Sequence, residues 1–96
     1  MASMVDEKKK AEIQRHLSTL RAEVDALART DADGAKTIAA FAELSAHQAT
    51  RPKPHPELLA LSVTGLEKSV KEFEATHPRL VEIVGSLSAM LSNIGL

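Results

Sequence analysis

The fold is decided by residues 59–94, which read LALSVTGLEKSVKEFEATHPRLVEIVGSLSAMLSNI. Apolar residues recur along this stretch at alternating intervals of four and three, and the polar position in the series is His77, followed by Pro78. Such spacing is typical of helices that bury one narrow stripe against other helices. The stripe consists of Leu59, Val63, Leu66, Val70, Phe73, His77, Leu80, Val84, Leu87, Leu91 and Ile94. The sequence therefore predicts an all-α protein built by helix packing.

Length and composition limit the chain to one small domain and argue against several functions. Its 96 residues can form one hydrophobic core, so we expect a single helical domain over residues 1–96. The absence of cysteine excludes disulfides and thiolate metal sites. Twelve basic and 13 acidic residues give a net charge of -1, and the aromatic residues are two Phe. We therefore expect no binding to nucleic acid, either by charge or by base stacking.

The N-terminal half predicts two helices separated by an acidic turn. A first helix is expected over residues 5–29, because its apolar residues also alternate at intervals of four and three. Thr30 or Asp31 can then cap a second helix over residues 33–49. The apolar stripe of the first helix consists of Ile13, Leu17, Leu20, Val24 and Leu27.

Residues 50–56, which read TRPKPHP, form a Pro-rich linker. Each proline fixes its own φ angle and drives the preceding residue towards extended conformations. The linker should therefore be stiff and extended. A docking peptide for a proline-binding domain is the other interpretation, but such grooves bind Pro-x-x-Pro, and here the spacing is Pro-x-Pro-x-Pro.

Pro78 decides how many helices follow the linker. A proline inside a helix removes a backbone hydrogen bond and costs about 3 kcal/mol, which favours two helices with Thr76 or His77 as the cap. The apolar spacing, however, passes through Pro78 without a change of phase, which an intervening loop would usually shift. We therefore predict a bundle of three helices whose last member is a long, Pro-kinked helix over residues 57–93. The alternative is four helices, if the chain breaks at Pro78.

The length of such a helix predicts a dimer. A helix over residues 57–93 would extend about 55 Å, whereas a compact chain of this size has a radius of gyration of about 12–13 Å. A second copy would have to cover the rest of the helix, and Glu82 is the one charged residue between Leu80 and Leu96. We predict a homodimer whose self-association seam consists of Leu66, Val70, Phe73, His77, Leu80, Val84, Leu87, Leu91 and Ile94.

No set of residues in the sequence points to catalysis or to metal binding. The four histidines are His16, His47, His55 and His77. None of them lies three or four residues from another, as a metal-binding pair on a helix would. We therefore expect no enzymatic activity, no cofactor and no metal. His77 could act as a pH switch, although such a histidine more often forms a structural hydrogen bond. Gly85 and Ala89 are small and would let another helix approach closely.

Two segments near the C-terminus carry a family resemblance: residues 73–80, FEATHPRL, and residues 92–96, SNIGL. They are similar to the F-E-x-S/T-H-P-x-L and N-x-G signature of a family of short bacterial proteins catalogued as domain of unknown function 4404. The order of elements is also similar, although the Ala-rich second helix and the Pro-rich linker depart from the family pattern. The resemblance implies a bacterial cytoplasmic protein, and it supplies no activity, ligand or catalytic residue.

The sequence thus favours a helical self-association or protein-interaction module, with an unidentified protein as a possible further partner. The alternative is a membrane-surface or lipid-associated protein that uses the apolar C-terminal helix. That helix has no Lys or Arg on its polar side, which argues against binding to anionic lipid. The chain also has no uncharged apolar stretch of about 18 residues, so we expect no membrane-spanning helix.

Overall fold

The structure, a computed structural model, describes residues 7–94 and consists of four α-helices packed together. The helices are α1 (Glu7–Ala28), α2 (Ala32–Thr50), α3 (Pro56–Val70) and α4 (Pro78–Ile94). A 3-10 turn over Lys71–Phe73 follows α3, and no strand occurs among the described residues. The predicted all-α class is confirmed. The predicted start of the first helix at Val5 lies outside the described residues.

The helices form a closed ring around one core. Each helix packs against the next one in the chain, and α4 closes the ring by packing against α1. The α2 and α4 backbones also approach each other across the shorter diagonal, whereas those of α1 and α3 stay more than 8 Å apart. The bundle measures 45 × 23 × 17 Å and has a radius of gyration of 13.0 Å. These dimensions are those of a compact single chain of this length.

A side-chain cap explains where α2 begins. The Asp31 carboxylate accepts a hydrogen bond from the Gly34 backbone N–H at 2.8 Å, and Asp33 adds negative charge in the first turn. Of the two predicted caps, the structure uses Asp31. The Thr30 hydroxyl instead donates to the Leu27 carbonyl at 3.2 Å.

The Pro-rich linker connects α2 to α3 over residues 51–55. Helix α2 ends because Arg51 is extended, with φ −63° and ψ 150°, as expected for a residue before proline. His55 caps α3, since its Nδ1 accepts the Leu58 N–H at 3.3 Å. Pro56 occupies the first turn, where its missing N–H costs no hydrogen bond.

The long Pro-kinked helix predicted over residues 57–93 is wrong. The chain leaves α3 after Val70 and makes a 3-10 turn, and Pro78 opens α4, which packs back against α3. Pro78 therefore avoids the cost of a proline in a helix interior. The apolar spacing suggested a continuous helix because the connection over residues 71–77 is as long as one heptad. The pattern resumes in phase although the chain has reversed direction.

A second copy is therefore not needed to cover a long helix. Helices α3 and α4 have 15 and 17 residues, and each is covered by its neighbours within the same chain. Because α3 and α4 are separate short helices, helix length no longer predicts a dimer. Any self-association must instead be argued from the outer surface of the bundle.

Candidate functional site

The predicted self-association seam lies inside the bundle. Apart from His77, its side chains are at most 8% exposed, and they form the core together with apolar residues of α1 and α2. Because the other helices of the same chain cover this stripe, a folded copy could associate only through other residues. The buried seam residues are Leu66, Val70, Phe73, Leu80, Val84, Leu87, Leu91 and Ile94.

His77 is partly exposed and lies in the turn between α3 and α4. Its backbone N–H donates to the Phe73 carbonyl at 2.7 Å, and the two rings meet edge-to-face with centroids 6.1 Å apart. The Phe73 ring in turn packs on Gly34 at the start of α2, where an added Cβ would lie 2.6 Å from the Phe73 Cζ. These contacts give His77 a structural role in closing the turn.

Helix α4 directs its apolar stripe inward and a nearly uncharged face outward. Gly85 and Ala89 are exposed, and no atom lies within 4 Å of a Cβ added at Gly85. The close helix approach predicted for these small residues is therefore not made within the chain. The large apolar residues of α4 are buried or, at Val81, Ile83 and Met90, partly buried against the core. None of the helices in residues 7–94 is both long and apolar enough to cross a membrane.

A groove of about 420 Å³ separates α3 from α4 near their connection. Val70, Val81 and Val84 line it with apolar side chains, and Gly85 leaves one side open. Its charged lining residues are Glu67, Lys68, Lys71 and Glu74. In the part of the chain that the structure describes, no group of three or more His, Asp or Glu could hold a metal ion.

Large apolar side chains are exposed on α2 and α3. Leu61 in the middle of α3 is 67% exposed, and Leu58 and Leu44 are 43% and 45% exposed. We call the exposed residues Glu57, Leu61, Thr64 and Lys68 the outer stripe of α3. These residues recur at intervals of four, three and four, so at about 100° per residue they lie on one side of the helix, opposite its buried stripe.

Sequence reasoning did not single out Leu58 and Leu61. Both lie off the apolar stripe that starts at Leu59, and that departure is the signal by which they could have been found. A second missed feature is the contact between α2 and α3, where the Phe41 ring packs on Gly65. A Cβ at Gly65 would lie 2.6 Å from the Phe41 Cδ1, so any other residue at this position would force the Phe41 ring to move.

The fold and its surface define a small four-helix bundle whose distinctive exposed feature is apolar side chains on α2 and α3. Comparison with known families identifies the family to which the chain belongs. A family model described as Domain of unknown function (DUF4404) matches residues 4–96, and the chain belongs to this family. No curated protein and no solved structure matches it. The resemblance drawn from residues 73–80 and 92–96 is thus confirmed.

Proposed function

We propose that this protein is a helical interaction module that associates with a second copy of itself through the exposed face of α3. The observation that carries the proposal is Leu61, which is 67% exposed at the middle of that helix. Single apolar residues are common on protein surfaces. Here, however, Leu58 is exposed one turn from Leu61 on the same helix, and clustered apolar side chains mark interaction sites more than isolated ones do. Leu44 is exposed on α2, the helix that packs against α3.

The adjoining groove and the outer face of α4 widen this surface. The apolar surface that the groove offers is that of Val81, which is partly exposed and lines the groove together with Thr64 and Lys68 of the outer stripe. Gly85 opens onto the same groove and would permit close approach of another helix. Fully burying one leucine stabilises an assembly by about 1.5–3 kcal/mol. A contact built on two or three such side chains should therefore be weak and reversible.

The proposed setting is the bacterial cytoplasm, which the family resemblance implies and which a chain without cysteine suits. No enzymatic activity, cofactor or metal is part of the proposal. A further protein partner could use the same face of α3, since a surface that serves a weak homodimer can also exchange one copy for another helix.

The proposal is tested by sedimentation equilibrium over loading concentrations from about 1 μM to about 1 mM, which cover the affinities expected for a small interface. We expect the average mass to rise from 10.3 kDa towards twice that value as concentration increases. A mass of 10.3 kDa at every concentration would contradict self-association. Affinity capture from a bacterial lysate with immobilised protein would then ask whether a different protein binds.

A further inference from the structure

We infer that two copies pair through their α3 helices, which lie antiparallel across a two-fold axis, so that Glu57 of each copy meets Lys68 of the other. This inference rests on the proposed self-association and specifies its geometry. It depends on the outer stripe of α3, whose ends carry opposite charges and whose centre carries Leu61 and Thr64. All four side chains are exposed.

The outer stripe is complementary to itself in one orientation. An axis that pairs Glu57 with Lys68 crosses the helix midway between Ser62 and Val63. The same axis pairs Leu61 with Thr64, because each pair is centred on that point. A parallel pair of α3 helices would instead place like charges together at both ends of the contact. The charges therefore select the antiparallel arrangement, which forms a closed dimer with the same surface patch on both copies.

The two charged residues are available for such contacts. Within residues 7–94, the ion pairs join Arg21 to Glu43 and Arg79 to Glu23, and neither Glu57 nor Lys68 takes part. Their positions in the first and last turns of α3 also suit the helix dipole. The dipole accounts for the sign of both charges, but it does not account for an exposed leucine between them.

The outer stripe also borders a recess that could accept a side chain from a partner helix. Glu57, Ala60, Leu61 and Thr64 surround a shallow recess on the surface of α3. These residues are related by intervals of three and four, as are the residues around a hole in knobs-into-holes packing. In the antiparallel pair, the partner's Thr64 is level with this recess. The partner's Leu61 is level with Thr64, beside Gly65.

The decisive experiment compares charge variants by sedimentation equilibrium of the full chain. Glu57→Lys replaces two attractive pairs with two repulsive ones, and we expect the dimer Kd to rise about tenfold. The double variant Glu57→Lys/Lys68→Glu restores opposite charges across the axis and should return the Kd to within about threefold of the original value. Asp25→Lys makes the same change of charge on α1, whose backbone stays away from α3, and should leave the Kd unchanged.

Thermal melts of each variant separate this inference from a purely structural effect. Both charges of the double variant oppose the helix dipole, so its folded monomer should melt lower than that of Glu57→Lys, although its dimer is restored. If the original protein dimerises and Glu57→Lys has the same Kd as Asp25→Lys, the inference is overturned and self-association stands on another surface. The inference is also overturned if the double variant dimerises no better than Glu57→Lys. A monomeric original protein would overturn both the inference and the proposed function.

Discussion

Ser88 is the one residue among those described whose buried side-chain oxygen has no hydrogen-bond partner. Other buried polar side chains of the bundle are satisfied locally. The Ser45 hydroxyl donates to the Phe41 carbonyl at 2.7 Å, and the Ser62 hydroxyl donates to the Leu59 carbonyl at 2.9 Å. An unsatisfied buried hydroxyl costs about 1–3 kcal/mol. At Ser88 the chain tolerates that cost in a helix that otherwise packs only apolar residues into the core.

Ser88→Ala should therefore stabilise the protein. Alanine removes the unsatisfied oxygen and is also the better helix former, so we expect the free energy of unfolding to increase by about 1 kcal/mol in urea denaturation. The matched control is Ser62→Ala, which removes a hydroxyl that is hydrogen-bonded and should gain less. A loss of stability in Ser88→Ala would show that its hydroxyl has a partner.

At the scale of elements, periodicity predicted which residues face inward but not where the chain reverses. A stripe at intervals of four and three requires only local helix geometry, so the core positions from Leu59 to Ile94 could be predicted. Periodicity could not locate the reversal, because its seven-residue length preserves the phase; the signal for it was the cost of a proline inside a helix, which favoured the four-helix alternative with a break at Pro78. Phe73 remains in the core although it lies in the 3-10 turn, since its ring packs on Gly34, which is remote in sequence. Single-chain periodicity carries no information about such a contact.

Pro78→Ala tests the observed start of α4. At the first helical position, proline has a favourable φ angle and restricts the unfolded chain, so its replacement should lower the free energy of unfolding by about 0.4–1 kcal/mol. Pro56→Ala, at the start of α3, should cost a similar amount and is the matched control. In a continuous kinked helix, Pro78→Ala would instead restore a hydrogen bond and raise stability. Urea denaturation of both variants distinguishes the two structures.

At the scale of the whole molecule, an apolar stripe specifies that it will be covered but not which chain covers it. The sequence therefore indicated the core residues of α4 correctly, but it led us to assign them to a dimer seam, whereas the other helices of the same chain cover them. The position of Leu61 off the apolar stripe indicates that it faces outward, but its place on the surface of the bundle follows from the orientation of α3. That orientation is set by contacts of α3 with α2 and α4, which involve residues far apart in the sequence.

The same substitution on two helices tests this division between core and surface. Leu87 is 0% exposed and Leu61 is 67% exposed. Leu87→Asp buries an unpaired carboxylate at a cost of several kcal/mol, a large part of the roughly 5–15 kcal/mol that stabilises a domain. Leu61→Asp should change the free energy of unfolding by no more than about 0.5 kcal/mol. Circular-dichroism melts at about 1 μM, where a weak dimer is dissociated, should therefore show a large drop for Leu87→Asp alone. Equal melting temperatures would mean that α3 or α4 is oriented differently.

The Leu61→Asp variant also tests the interface. If this variant folds normally but no longer dimerises at high concentration, the interface lies on the outer stripe of α3.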